Sequence, residues 1–205
     1  MTEANINIEE AVKALERRAI RASVVEDVAA AREYLLQRIP PGATVGIGGS
    51  MTIKELGIYD LLQERGNTVF WHWQVPPEQM KETVYRAAGA DCYLCSANAL
   101  TADGKIINTD GAGNRVGSTI FGPRRVIFVV GENKLVRDEE EGRERIRKVA
   151  APLNARRLGL SNPCVDEGCT DCRAATRICS VTAIIEGPLR YTELEVLIVK
   201  ARLGF

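Results

Sequence analysis

The run Arg125–Val130, RVIFVV, constrains the chain more than any other stretch. It is short and almost wholly apolar, so both faces must be buried, which is the pattern of a parallel strand covered by helices on each side. Ala43–Ile47 reads as a second buried strand, and Arg21–Val25, Thr68–Trp73 and Asp91–Cys95 read as further strands. Helical signals stand between them. Asn7 and Glu10 have capping-box spacing, and Ile8, Ala11, Val12, Leu15 and Ala19 share one helical face. Glu26-Asp27 heads a second helix, with Val28, Ala31, Leu35 and Leu36, which Pro40-Pro41-Gly42 stops. A third helix starts at Ile53 and ends at Gly66-Asn67, a fourth starts at Pro76-Pro77-Glu78 and ends at Gly89, and Asp138–Ala150 is a charged helix with a solvated face. Val181–Glu186 and Glu193–Val199 are expected to close the sheet as its last two strands. Such alternation is that of an α/β domain.

At 205 residues the chain suits one domain with a full-sized core, residues 1–205, carrying a cysteine-rich segment at 162–182. Its 27 basic and 27 acidic residues cancel, which gives no electrostatic support to nucleic acid or an anionic membrane as a general partner. No apolar run is long enough to span a bilayer, and the N-terminus lacks the basic-then-apolar pattern of a signal peptide. The expected location is therefore cytoplasmic. There, six cysteines point to metal ligands, redox groups or small buried side chains before disulfides.

Two loops carry candidate chemistry. In Thr101–Arg115, Asp103-Gly104 is a tight-turn dipeptide, and Leu100 and Lys105–Asn108 form the arms of a hairpin. Beyond Asn108 the chain enters Asp110-Gly111-Ala112-Gly113-Asn114-Arg115, where successive N–H groups at the start of a helix can cradle an anion. The alternative is a surface turn whose polar groups satisfy the backbone. The second loop is Gly48-Gly49-Ser50-Met51-Thr52, between a strand and a helix, again with the geometry of an anion site, or else with Ser50 or Thr52 capping the helix. It has neither a Walker lysine pattern nor a full dinucleotide glycine motif. Both loops would sit at strand carboxyl ends and so share one crevice. Asp110 and Glu55 are the candidate acid or base groups, and Arg115 and Lys54 the charge partners. Gly131-Glu132-Asn133-Lys134 follows a strand and can join the same crevice.

The runs Ser96–Thr101, Asp103-Gly104, Asn108–Val116 and Ile120–Pro123, together with Gly46–Thr52 and Ala150–Asn154, resemble the lactate-utilisation (LUD) domain family over nearly the whole chain. The resemblance implies the fold of the sugar-phosphate isomerase and CoA-transferase superfamily: a Rossmann-like, mostly parallel sheet flanked by helices, with its ligand at the strand carboxyl ends. It also implies an association with iron-sulfur oxidoreductases of lactate oxidation.

The six cysteines divide in two. Cys92 and Cys95 make a C-x-x-C, yet residues three apart on a strand point to opposite faces, so both are expected to be buried small side chains. Cys164, Cys169, Cys172 and Cys179 follow C-x4-C-x2-C-x6-C, a set of four thiols that can wrap one metal centre. Spacing alone admits structural zinc or an iron-sulfur cluster; the resemblance favours the cluster, of the four-iron four-sulfur kind, as an accessory to the fold. His72, the single histidine, stands between two tryptophans and excludes multi-histidine metal sites. Two functions remain open. One is an enzyme or enzyme subunit binding a small anionic metabolite. The other is a non-catalytic assembly or electron-transfer component that docks on an iron-sulfur oxidoreductase subunit, with a homo-oligomer as a further partner arrangement.

Overall fold

A computed structural model describes residues 6–205, so the first five residues of the expected domain lie outside the described part. A six-stranded sheet runs in the order β1 (Arg21–Val25), β10 (Glu193–Val199), β7 (Arg125–Gly131), β4 (Cys92–Cys95), β2 (Thr44–Ile47), β3 (Thr68–Trp71), and every neighbouring pair in it is parallel. The expectation of an α/β fold with a mostly parallel central sheet flanked by helices is met.

The two faces of this sheet bury different clusters. Val45, Ile47, Cys92, Leu94, Ile127, Val129, Leu197 and Val199 point one way, against Ala31 and Leu35 of α2 (Val28–Arg38), Ile53 and Leu56 of α3 (Met51–Leu56) and Ile58 and Leu62 of α4 (Ile58–Glu64). Tyr93, Cys95, Val126, Phe128, Val130, Val196 and Ile198 point the other way, against Leu15 of α1 (Ile8–Arg17), Ala87 of α5 (Pro77–Ala88) and the inner face of a second sheet. Cys92 and Cys95 thus diverge as a period of two requires, and burial pushes both thiols up to about 12, so they are protonated at neutral pH.

The second sheet has four strands in the order β8 (Leu135–Val136), β5 (Ala99–Thr101), β6 (Ile106–Asp110), β9 (Val181–Ile185). The predicted hairpin is β5 with β6, paired antiparallel. The two closing strands separate, contrary to expectation: β9 joins β6 antiparallel in the small sheet, and β10 lies inside the large one between β1 and β7. The sequences explain the split. Six of the seven residues in β10 are buried, as suits a central parallel strand, whereas β9 begins with two exposed residues at an edge.

Two helices also differ from expectation. The helix expected from Ile53 to Gly66 breaks at Gly57, whose φ of 60° ends α3 and starts α4. The charged helix is α7 (Glu139–Arg145), continued through a π-helical turn at Ile146–Ala150 into α8 (Ala151–Arg157). That stretch is not wholly solvated. Gly142 packs on Ala99, Ile107 and Val136 at the outer face of the small sheet, and Ile146 is buried there too.

Candidate functional site

The chain runs from β2 out to β3 at one edge and then returns to place β4 on the other side of β2, which makes the gap between β2 and β4 a point where strand order reverses. Open α/β sheets hold ligands just beyond the carboxyl ends of strands at such a point. A cavity of about 440 Å³ lies there. Its wall is built from Gly49 and Ser50 after β2, His72 and Trp73 after β3, Ser96 and Asn98 after β4, and Lys134 after β7. Asp110, Gly111, Asn114 and Arg115 enter from the end of β6 and the start of α6 (Asn114–Ile120). More of the wall comes from places not expected from sequence, among them Asn154 and Arg157 on α8, Ala175–Cys179 from the cysteine segment, and Phe205.

The two predicted loops therefore meet, but not every residue of each does so. Gly48, Thr52, Lys54, Glu55, Asn108 and Gly113 do not line the cavity. Ser50 caps α3, its Oγ accepting from Ile53 N at 3.3 Å, so the helix starts at Met51, two residues earlier than expected. That start leaves Lys54 and Glu55 exposed, the Glu55 carboxylate accepting from Gly204 N at 2.7 Å. Thr52 is fully buried on the inner side of the same helix. Asn108 is fully buried as well, and among the described residues neither of its amide atoms has a hydrogen-bond partner. Gly113 carries a φ of 80° immediately before α6.

Arg115 is held from three sides. Its Nη2 donates to Thr109 O at 2.6 Å and to Asn98 Oδ1 at 3.0 Å, and its Nη1 donates to Ser96 O at 3.3 Å. The bare Cα of Gly48 makes room for this side chain, since a Cβ there would lie 3.1 Å from Arg115 Cγ and 2.8 Å from the Tyr93 hydroxyl. Three of the five guanidinium N–H groups are thereby used, leaving Nε and one Nη1 hydrogen for a ligand.

Asp110 has another role. Its Oδ2 accepts from Val116 N at 2.7 Å and its Oδ1 from Gly113 N, so both carboxylate oxygens serve the first turn of α6. The main chain beside it meets the cysteine segment, where Ser180 N donates to Asp110 O at 3.0 Å. Gly111 permits that approach, because a Cβ would lie 2.7 Å from Ile178 Cα. We expect Asp110→Asn to lower stability by about 1–2 kcal/mol, since an amide turns an NH2 group toward one of two N–H donors. Thermal melts of the two proteins check this; equal melting would show that α6 does not depend on the carboxylate.

Lys134 is 4% exposed, and its Nζ donates to Thr52 Oγ1 at 2.8 Å and Ser96 Oγ at 2.9 Å. Burial, then the positive charges of Arg145 and Arg115, lower its amine to about 7. Burial also lowers His72. Arg157 stacks over the Trp73 ring at 4.7 Å, and burial lowers its guanidinium from the ordinary range. The Gly131–Lys134 loop was expected at the crevice and Lys134 lines it; the burial of its amine against Thr52 and Ser96 is what the sequence did not show. Arg157 followed a helix whose charge pattern concealed its inner face.

The segment holding Cys164, Cys169, Cys172 and Cys179 is irregular apart from a single turn at Pro163–Val165. Arg177 ties it together, donating to Cys172 O at 2.7 Å and Cys179 O at 3.2 Å and pairing with Asp171 at 2.9 Å. Burial first, and then Cys172, Cys179 and Cys169, raise the Cys164 thiol. The four sulfurs are not gathered around one point: among the described residues no three His, Cys, Asp or Glu side chains are grouped to hold a metal ion. Nor is any described helix long and apolar enough to cross a membrane.

A parallel α/β sheet with a cation-lined cavity at its strand carboxyl ends thus defines the class of domain. The LUD domain family profile matches residues 8–199, and the chain belongs to that family. Among solved structures it is similar to a DUF162 family protein from Deinococcus radiodurans, with a TM-score of 0.55, 12% identity, and coverage of 94% of this chain and 95% of that one. That likeness is one of fold. No curated protein matches the chain.

Proposed function

We propose that the cavity binds a small anionic metabolite, a carboxylate or phosphate, and that the protein acts as an enzyme or enzyme subunit on it. One observation carries this reading. Arg115, Lys134, Arg157 and Arg177 line the cavity, against one acidic side chain, Asp110, whose oxygens are both committed to backbone N–H groups. In a chain of zero net charge that concentration of cations in one concave site attracts anions. Membership of the LUD family agrees with a place in lactate or other organic-acid oxidation.

A thermal-shift screen of small carboxylates and phosphates tests the reading, because a ligand that binds only the native state raises the melting temperature by mass action. Gly49→Val should lose the shift. A Cβ at Gly49 already lies 3.3 Å from the Trp73 ring, so the added methyl groups fill the cavity mouth. No shift from any anion, or an equal shift in Gly49→Val, would contradict it.

The cysteine segment supports a second reading, as an electron-transfer component. Four thiols within one irregular segment suit the donor set of an iron-sulfur cluster or zinc, and Cys179 also lines the cavity. Cys164, Cys169, Cys172 and Cys179 would hold the group, and a cluster would supply one-electron chemistry beside the ligand wall. Iron, sulfide and zinc analysis of anaerobically purified protein separates the choices, with loss of the bound metal expected in Cys169→Ala and an absence of all three counting against this reading.

A further inference from the structure

We propose that Lys134 is a covalent site for a small oxo acid, its amine condensing with the ligand's carbonyl carbon while Arg115 holds the ligand's carboxylate. The inference rests on the reading of the cavity as an anion site and names the ligand class.

Geometry isolates one position on the amine. Thr52 Oγ1 donates its own proton to Leu203 O at 3.2 Å, and Ser96 Oγ donates its own to Ala97 O at 3.3 Å. Both hydroxyls therefore accept from Lys134 Nζ, at 2.8 and 2.9 Å, and together they take two of its protons. The fourth position around the nitrogen holds either a third proton or a lone pair. Both partners of Nζ are uncharged hydroxyls, which do not lock the third proton in place as a carboxylate would. Burial comes first in disfavouring the ammonium, followed by Arg145 and Arg115, with Glu55 and Cys95 acting weakly in the opposite sense. With the amine near 7, a large share of the molecules carries the lone pair at neutral pH.

Arg115 supplies the second contact. Its Nη1 donates to the carbonyl oxygen of Ser96 while Lys134 Nζ donates to the hydroxyl of that same residue. The two cationic groups thus flank one residue, and both line the same cavity. The Nε and Nη1 hydrogens left on Arg115 donate charge-assisted bonds to a carboxylate, and an uncharged amine is the nucleophile for a carbonyl carbon. An acid with an adjacent oxo group presents both features within a few bonds.

The step balances without a redox partner. The Nζ lone pair bonds to the carbonyl carbon as the carbon-oxygen π pair moves onto oxygen, and one Nζ proton passes to that oxygen. The C–O bond of the carbinolamine then breaks. Its oxygen leaves as water after taking one proton from solvent, and the nitrogen, with its remaining proton, forms the double bond of an iminium.

Pyruvate with sodium cyanoborohydride, followed by intact mass measurement and peptide mapping, tests the proposal, with melting shifts induced by pyruvate recorded in parallel. The expected result is one reduced adduct on Lys134, its loss in Lys134→Met, and its loss when acetone, which lacks the carboxylate, replaces pyruvate. A pyruvate-induced melting shift with no adduct on Lys134 would overturn the covalent site and leave the anion reading in place. Labelling spread over surface lysines and unchanged in Lys134→Met would overturn it equally. No melting shift with any carboxylate or phosphate, and no adduct, would remove both.

Discussion

Lys134→Met is expected to be more stable than the parent protein by about 1–3 kcal/mol near pH 6, with the gain shrinking as pH rises toward about 10. The reason is a charge taken out of water without a carboxylate partner. Lys134 falls from its ordinary value of 10.5 to about 7 in the folded chain, while the unfolded chain keeps its proton up to the ordinary value. Below about 7 both states are protonated and the folded state bears the whole penalty, on the order of 4 kcal/mol. Between the two values the unfolded state binds more protons, so the parent gains stability as pH rises and closes the gap. Methionine removes the charge but also two hydrogen bonds from Nζ, each worth about 0.5–1.5 kcal/mol, which lowers the net gain. Urea denaturation near pH 6, 8 and 10 measures this. A loss of stability of the same size at every pH would mean that the ammonium is well satisfied where it sits. A residue that weakens the fold it belongs to is the kind that function retains.

Glu195→Ala is expected to act in the opposite direction, lowering stability by about 3 kcal/mol. Glu195 is 0% exposed in the centre of β10, with Tyr34 Oη donating to it at 2.6 Å and Arg38 Nη2 and Nε donating at 2.7 and 3.0 Å. Burial raises its carboxyl, yet the bonds from Arg38 and Tyr34 outweigh burial and hold it below the ordinary carboxylate range. Removing the carboxylate leaves the half-buried Tyr34 hydroxyl with Ser23 Oγ, at 2.8 Å, and Arg38 with only the longer contact to Glu193 at 3.8 Å. Arg38 is 26% exposed and can reach water, which keeps the effect at the lower end for a broken buried pair. The stabilisation is present above the ordinary carboxyl value of 4.5 and is lost as pH falls through the lower folded value. Parallel acid titrations of parent and Glu195→Ala should therefore converge at low pH; curves that stay a constant distance apart would assign the effect to packing alone.

Much of the fold was legible because it depends on periodicity. The doubly apolar RVIFVV became the central strand β7, and a period of two sent Cys92 and Cys95 to opposite cores. The Asp-Gly turn specified the β5 and β6 hairpin. Partner choice among strands was not legible. Nothing local in Val181–Ile185 announces pairing with β6, which depends on where the cysteine segment delivers the chain. The candidate site divides along the same line. Loops at strand ends could be assigned to one crevice by topology, so Gly49, Ser50, Gly111, Asn114 and Arg115 line it. Side-chain direction depends on the residue at which a helix begins. Capping by Ser50 starts α3 at Met51 and leaves Lys54 and Glu55 on its outer side, away from the cavity. The twin contacts of Asp110 with Gly113 N and Val116 N require the folded turn of α6, and the burial of Lys134 requires α3 and the β4 loop to close over it.

That a small anion occupies the cavity between Arg115 and Lys134 is tested most directly by titrating pyruvate against the fluorescence of Trp73, which lines the wall beneath Arg157. The other tryptophan, Trp71, is buried and stacks on Trp73 at 5.5 Å, so the pair reports on the same wall. The parent protein should give a saturable change that weakens at least about tenfold in Arg115→Lys, because an ammonium cannot keep the bonds to Thr109, Asn98 and Ser96 and also offer donors to the anion. A saturable change of equal affinity in Arg115→Lys, or none in the parent, would contradict the assignment of this cavity as an anion site.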